Sequence, residues 1–164
     1  KSVQVIYAGY NEKQKECKLI ASALTNGGAI KHELISHLPV KDYYGFYRLC
    51  DIALVPLLSS TFNRYKSNLK VLEAAHIGAP VIVSSVHPYL DFPNDLVNYV
   101  CSQADWMMHI KRLLNDKEAA AEQGQRLKEY CKINFNFDKI NLERKKLFEN
   151  VSKKTTAGVL PAKV

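Results

Sequence analysis

The segment DIALVPLLSSTFNRYKSNLKVLEAAHIGAPVIVS, residues 51–84, decides the fold. It contains two short apolar runs rich in Val, Ile and Leu, which are DIALVPLL at 51–58 and APVIVS at 79–84. Runs that are apolar at almost every position are typical of strands buried on both faces, as in a parallel sheet. The residues between the two runs predict a loop and then a helix that crosses from one strand to the next.

The same alternation of strand and helix extends over the rest of the chain. Asn11 and Gln14 predict a capping box at the start of the first helix. The remaining elements are predicted as strands at 3–9, 29–38 and 96–101, and as helices at 42–50, 104–115, 117–130 and 138–153. This order predicts an α/β fold with a Rossmann-like parallel sheet of four to six strands and helices on both faces.

The length of 164 residues corresponds to a single domain. We expect residues 1–153 to form this domain and residues 154–164 to be a disordered tail. Because the chain enters a strand almost at its first residue, we also expect it to be a fragment of a longer two-domain protein. It has no signal-peptide pattern and no paired Cys-x-x-Cys motif, which predicts a cytoplasmic location.

The formal net charge of +7 is compatible with nucleic acid, anionic lipid headgroups or a polyphosphorylated ligand. Much of the positive excess follows Lys111, in helices that also carry many Glu, and such mixed faces are usually solvated. No recognition motif accompanies the charge, so we expect no nucleic-acid partner. Peripheral association with the inner face of a membrane stays open as an alternative.

Three charged side chains stand near the start of the central helix. Lys66, Lys70 and Glu73 are spaced four and three residues apart, which would place them on one helical face. Ligands of open parallel sheets bind outside the carboxyl ends of the strands, where such helices begin. Two cations and a carboxylate at this place suit a ligand with phosphate groups and sugar hydroxyls. The alternative for Lys70 and Glu73 is a surface ion pair, worth less than about 1 kcal/mol.

Further candidates surround these charges. Ser67, Asn68 and Leu69 would direct backbone N–H groups at a ligand from the helix start, although Ser67 and Asn68 are also ordinary caps. Gly9 ends the first predicted strand and Leu38 the second, at the same predicted edge of the sheet, so both are candidate binding residues. The tyrosines of 42–50 are assigned to packing.

The stretch from Asp51 to Tyr89 resembles the C-terminal half of group 1 glycosyltransferases of the GT-B fold. The matching pieces are a strand that begins at Asp51 and reaches Pro56, the triplet 72–74 (LEA), and the run 78–82 (GAPVI). The resemblance extends more weakly over about 150 residues.

The resemblance implies that this domain binds a nucleotide-diphosphate sugar, while a glycan or lipid-linked acceptor binds a separate N-terminal domain that is missing here. It implies that Glu73, the second glutamate of a paired motif, hydrogen-bonds the donor ribose, and that the base lies near Leu38. The first glutamate of the motif would stand at Tyr65, so the sequence departs from the family there. For the diphosphate, our candidates are Lys66 and Lys70.

The sequence therefore predicts the donor domain of a glycosyltransferase of the hexosyltransferase type, acting in polysaccharide biosynthesis and inactive on its own. No Asp-x-Asp pair is present, so we expect neither a metal nor a cofactor, with Lys, Arg and a helix dipole neutralising the diphosphate. The sequence identifies no catalytic residue. The alternative is a non-catalytic doubly wound binding or interaction module, although the predicted strand ends lack the acidic cluster of a receiver domain.

Overall fold

The computed structural model describes residues 3–157, without the side chains of Val40, Tyr44 and residues 153–157. The chain forms two compact units, residues 1–128 and 129–164, and each is described by itself. The elements, in order, are β1 Val5–Tyr10, α1 Lys15–Leu24, β2 His32–Ser36, α2 Val40–Tyr43, a 3-10 helix Tyr44–Leu49, β3 Ala53–Val55, α3 Thr61–Arg64, α4 Leu69–Ile77, β4 Val81–Ser84, β5 Asn98–Val100, α5 Gln103–Asn115, α6 Lys117–Asn134 and α7 Phe137–Ala157.

The strands of the first unit pair in parallel, which confirms the predicted α/β class. They form two sheets, however, with β1 beside β2 in one and the order β3-β4-β5 in the other. The prediction of a single sheet of four to six strands is therefore wrong. The two sheets also differ in burial, since β1 is only half-buried along its length, whereas Val81, Ile82 and Val83 of β4 are completely inaccessible.

The core of the first unit lies around the three-stranded sheet. Ala53 of β3 stands opposite Val81 of β4, and Ile82 of β4 opposite Asn98 of β5. Ile82 packs in a cluster whose other buried members are Val100, Leu113 and Ala120. Each large aliphatic side chain that is fully buried here stabilises the fold by about 1.5–3 kcal/mol.

Two glycines determine how α4 ends and β4 begins. Gly78 ends α4 with a φ of 80°, in the left-handed conformation that glycine adopts without strain. Gly124 of α6 packs directly against this turn, and a Cβ atom at Gly124 would overlap the carbonyl oxygen of Gly78. The close approach of the two backbones therefore requires glycine at position 124.

Hydrogen bonds connect the loops at the carboxyl ends of β3 and β4. The backbone N–H of Leu57 donates to Oγ of Ser84 at 2.9 Å. Oγ of Ser60 accepts from the N–H of Asn63 at 3.1 Å and so caps α3, while Nδ2 of Asn63 donates to the carbonyl oxygen of Leu58 at 2.8 Å. These bonds fix the segment that leads from β3 to α4.

Some predicted boundaries are wrong. The capping box at Asn11 and Gln14 is absent, because residues 11–14 form a turn in which Oδ1 of Asn11 accepts from the N–H of Lys13. The helix starts at Lys15, without a side-chain cap. The predicted strand 29–38 is reduced to β2, which ends at Ser36.

The second unit consists of the end of α6 and the whole of α7. Its helix connection is closed by a hydrogen bond from the N–H of Phe135 to the carbonyl oxygen of Cys131, and the rings of Tyr130 and Phe135 meet edge to face. The helix α7 continues to Ala157, so the first four residues of the predicted disordered tail, 154–157, are helical. Residues 158–164 lie outside the described part of the chain. No helix among residues 3–157 has the length and apolarity needed to cross a membrane.

Candidate functional site

The outward face of α4 carries Lys70 and Glu73, and two tyrosines of the preceding segment contact them. The tyrosines are Tyr43, at the end of α2, and Tyr47, in the 3-10 helix. Both contacts join residues that are 26 or 27 positions apart in the sequence. The fold therefore combines the charged residues of α4 with partners that the sequence analysis had assigned to packing.

Tyr47 donates its hydroxyl hydrogen to Oε2 of Glu73 at 3.0 Å. Burial raises the pKa of Tyr47 above its ordinary value, and the negative charge of Glu73 and the hydrogen bond to it raise the pKa further. The hydroxyl therefore remains a donor throughout the neutral range. Oε1 of Glu73 is not used by this bond and retains acceptor capacity, because a carboxylate accepts several hydrogen bonds.

Lys70 is fixed by the other tyrosine. Its ammonium donates to the hydroxyl of Tyr43 at 2.9 Å and lies 5.5 Å from the centre of the same ring. The ring packs edge to face against Phe46, which is buried, at 5.7 Å between centroids. Burial alone lowers the pKa of Lys70, but the hydrogen bond and the charges of Tyr43 and Glu73 outweigh it, so the pKa is raised. Lys70 therefore stays a cation with two further N–H donors.

The surface ion pair that was the alternative for Lys70 and Glu73 is not formed. Among the side chains that the structure describes, the ion pairs within 4.0 Å are Arg126–Asp95, Lys132–Glu129 and Lys145–Glu149. Each of the two α4 charges instead contacts its own tyrosine. This arrangement keeps a cation and a carboxylate on one helix face without neutralising either by the other.

The remaining candidates around α4 are placed differently from one another. Lys66 lies before the helix, which starts at Leu69, so the prediction that it shares a helical face with Lys70 is wrong. Its ammonium lies 5.4 Å from the ring centre of Phe62. Asn68 is the N-terminal cap residue, but its side chain makes no capping hydrogen bond. Ser67 and Leu69 are both exposed at this helix start.

Gly9 lies in the other sheet, and Leu38 lies two residues after the end of that sheet's second strand. Gly9 lies within β1, where the pairing with β2 shifts its register, and its φ is 81°. A Cβ atom at Gly9 would meet the ring of His37 at 4.0 Å, so this glycine lies beside the segment that contains Leu38. The expectation that both residues end strands of the sheet that contains β3 and β4 is wrong, because β1 and β2 form a separate sheet, β1 continues to Tyr10 and β2 ends at Ser36. Their role in binding stays a prediction.

Cavities open at both ends of the three-stranded sheet. One, of about 450 Å³, lies at the carboxyl ends of β3 and β4, between residues 59–64 and 85–90. The other, of about 360 Å³, lies at their amino ends and includes Arg48, Asp51 and Lys117 in its wall. The described residues contain no group of three or more His, Cys, Asp or Glu side chains arranged to hold a metal ion.

Sequence reasoning missed Tyr43, Tyr47 and the cavity residue Arg64. The two tyrosines are four positions apart in a short helical stretch, so they lie on one helix face. A tyrosine ring is apolar but carries a polar hydroxyl, so this shared face was the available signal for a pair of hydrogen-bonding groups. Nothing in the sequence indicated that their hydroxyls would meet Lys70 and Glu73. Arg64 lines a cavity only because the loop after β4 forms the opposite wall, and this loop is distant from Arg64 in the sequence.

Comparison with known proteins agrees with this architecture. A family model described as glycosyl transferase-like matches residues 5–140. No match was found among curated protein sequences.

Two solved structures are similar to the chain. One is sucrose-phosphate synthase from Thermosynechococcus elongatus, with 21% sequence identity and a TM-score of 0.73, over 92% of this chain and 38% of the synthase. The other is the C-terminal domain of LpcC, a glycosyl transferase group 1 family protein from Francisella tularensis, with 13% identity and a TM-score of 0.59, over 77% of this chain and 66% of that one. At these identities the similarity establishes the fold.

Proposed function

Since the chain belongs to the glycosyl transferase-like family, we propose that it is the donor-binding domain of a group 1 glycosyltransferase with the GT-B fold. In this proposal the domain binds a nucleotide-diphosphate sugar at the carboxyl ends of β3 and β4. The chain spans 38% of the synthase it resembles, so the activity of a complete enzyme is part of the proposal.

The observation that supports the proposal most strongly is the pair of tyrosine contacts on α4. Tyr47 orients the carboxylate of Glu73, and Tyr43 orients the ammonium of Lys70, at 3.0 and 2.9 Å respectively. Both charged groups keep unused hydrogen-bonding capacity. A fixed carboxylate suits ribose hydroxyls, which are donors, and a fixed ammonium suits phosphate oxygens, which are acceptors.

The other candidates have secondary roles in this arrangement. Lys66 adds a second positive charge before α4, and the uncapped helix start at Ser67, Asn68 and Leu69 offers backbone N–H groups to a phosphate. Gly9 in the other sheet, and Leu38 in the segment after it, remain candidates for the part of the donor that carries the base.

The wider reaction is also a proposal. We propose transfer of a hexose-type sugar to a glycan or lipid-linked acceptor, which would bind a second, N-terminal domain and serve polysaccharide biosynthesis in the cytoplasm, with possible membrane contact at the inner face. Diphosphate neutralisation by Lys66, Lys70 and the helix dipole would require no metal or cofactor. Without the acceptor domain, the chain should transfer little or no sugar.

Isothermal titration calorimetry with nucleoside diphosphates tests the proposal. UDP, GDP and ADP, each with and without a hexose, are titrated into the chain in the presence of EDTA. We expect saturable binding of at least one series, with a Kd of about 1 mM. This Kd corresponds to a binding free energy of about −4 kcal/mol.

Two results would contradict parts of this proposal. Absence of binding in all three series, with and without Mg²⁺, would reject nucleotide-sugar recognition by this domain. Binding that appears only with Mg²⁺ or Mn²⁺ would reject the metal-independent mode and leave nucleotide recognition standing.

A further inference from the structure

The cavity of about 450 Å³ at the carboxyl ends of β3 and β4 is lined by several polar side chains. Its volume is within the range of about 300–1,000 Å³ that is usual for small-molecule sites. The polar side chains of its lining are those of Ser59, Ser60, Thr61, Arg64, Ser85 and His87. We call it the Arg64 cavity.

The lining combines hydroxyl groups with a cation and contains no carboxylate. Arg64 is exposed and forms no ion pair with any side chain that the structure describes. A guanidinium group offers a planar fork of N–H donors that matches the oxygens of a carboxylate or phosphate. Hydroxyl side chains, which both donate and accept, match the hydroxyls of a sugar.

Both walls of the Arg64 cavity are fixed by hydrogen bonds that do not use Arg64. The bond from Leu57 to Ser84 joins the strand ends, and the bonds of Asn63 to Ser60 and Leu58 hold the segment that carries Arg64. On the opposite wall, the N–H of Ser85 donates to the carbonyl oxygen of Val100 at 2.8 Å. The site is therefore formed before any ligand binds.

The loop of the second wall also approaches the α4 face. Tyr89, which lies between His87 and Leu90 of this wall, is close enough to Lys70 for each to influence the pKa of the other.

We propose that the Arg64 cavity binds a sugar that carries an oxyanion, either a carboxylate or a phosphate. Arg64 binds the oxyanion, and the serine and threonine hydroxyls bind the sugar hydroxyls. The assignment of this sugar to the donor or to a separate sugar phosphate rests on the proposed function, whereas the recognition of an oxyanionic sugar does not.

The recognition step is tested by NMR titration of the chain with glucose 6-phosphate, glucuronate and glucose. We expect saturable chemical-shift changes of the Arg64 Nε–H and Ser85 N–H signals with both anionic sugars. Glucose should bind at least about fivefold more weakly, because charge-assisted hydrogen bonds are about twice as strong as neutral ones. In Arg64→Gln the anionic sugars should bind no better than glucose. Arg48→Gln, which changes an exposed arginine of the other cavity, is the matched control and should bind as the wild type does.

Equal binding of all three sugars, or anionic binding that survives in Arg64→Gln, would overturn the proposal. So would the absence of any shift with all three sugars. Thermal melts of both variants should match the wild type, since neither arginine has a folded-state ion pair within the described residues.

Nucleotide sugars distinguish the two sources of the oxyanion. UDP-glucose is compared with UDP-glucuronate, and GDP-mannose with GDP-mannuronate. A preference of at least about fivefold for the acidic member, lost in Arg64→Gln, assigns the cavity to an acidic donor sugar. No preference, together with Arg64-dependent binding of glucose 6-phosphate, assigns it to a sugar phosphate that is not part of the donor. If no nucleotide binds but the anionic sugars do, the proposed donor function fails and the oxyanion site stands.

Discussion

The two faces of the nine-residue helix α4 differ in burial and in chemistry. The inner face consists of Val71, Ala74 and Ala75, which have no exposed surface. The outer face carries Lys70 and Glu73, whose partners are tyrosine hydroxyls. One face thus positions the helix by packing, and the other presents charges held by hydrogen bonds. Substitutions on the packing side should change the free energy of unfolding, and those on the outer side should change ligand affinity.

Small residues explain why the packing side tolerates so little change. Ala74 and Ala75 allow α4 to lie close to the sheet, and Gly78 and Gly124 allow the turn after α4 to contact the backbone of α6. Interiors packed in this way have no space for an additional methyl group. The outer face has no such constraint, because its side chains extend towards solvent and towards two aromatic rings.

The largest effect is expected at the packing end of α4, from Gly124→Ala. The new Cβ atom would overlap the carbonyl oxygen of Gly78, so α6 has to move away. We expect the free energy of unfolding to fall by about 3 kcal/mol or more, at the upper end of overpacking costs. Urea denaturation measures it. Gly45→Ala is the matched control, because its added Cβ atom would meet no atom within 4 Å beyond its own chain neighbours and local helix backbone, and it should change the stability little.

A smaller effect is expected from Tyr47→Phe on the outer face. The substitution removes the hydroxyl that orients Glu73 and leaves the ring in place. Affinity for a nucleoside diphosphate should fall by about three- to tenfold, the equivalent of one hydrogen bond. Affinity for its 2′,3′-dideoxy analogue, which has no ribose hydroxyls for Glu73, should not change. Calorimetry with both ligands checks this.

Tyr10→Phe is the control for Tyr47→Phe, since it removes a tyrosine hydroxyl from the other sheet. It should leave both affinities as they are in the wild type. An equal loss of affinity for the ribose and dideoxy ligands in Tyr47→Phe would mean that Tyr47 acts on the structure of the domain and not through Glu73.

The smallest effect is expected in alkaline solution. The pKa of Tyr47 is raised in the folded chain, chiefly by burial and then by the charge of Glu73, so folding favours its neutral form. This contribution to stability is fully present below the ordinary tyrosine pKa of about 10 and is lost as the pH rises towards the raised folded value. Melting temperatures measured from pH 9 to 11 should fall more steeply for the wild type than for Tyr47→Phe. Parallel curves would contradict a raised pKa of Tyr47 in the folded chain.

The sequence predicted the central element of this account because α4 and its flanking strands are specified locally. The apolar runs of β3 and β4, and the position of Glu73 between them, follow from side-chain pattern alone. Lys66 was misplaced because the helix begins only at Leu69. The split into two sheets was missed because strand pairing joins residues far apart in the chain, which the pattern of apolar residues does not reveal.

The candidate site was less predictable than the fold. Contacts such as Tyr47 with Glu73 join residues far apart in the chain, and their geometry follows from packing of the 3-10 helix on α4. The apolar pattern predicted that Tyr43 and Tyr47 lie in a packed segment, but it did not predict which residues their hydroxyls would contact. The Arg64 cavity likewise exists only because the loop after β4 returns beside the segment after β3.

The most direct test of the outer face is calorimetry on the wild type and Glu73→Gln with the same nucleoside diphosphate, together with thermal melts. The substitution keeps the shape of the side chain and removes its charge, so hydrogen bonds from ribose hydroxyls should weaken. We expect about five- to thirtyfold weaker binding, equivalent to about 1–2 kcal/mol, with little change in melting temperature. Equal affinities, with a lower melting temperature in Glu73→Gln, would contradict the account and reduce Glu73 to a structural partner of Tyr47.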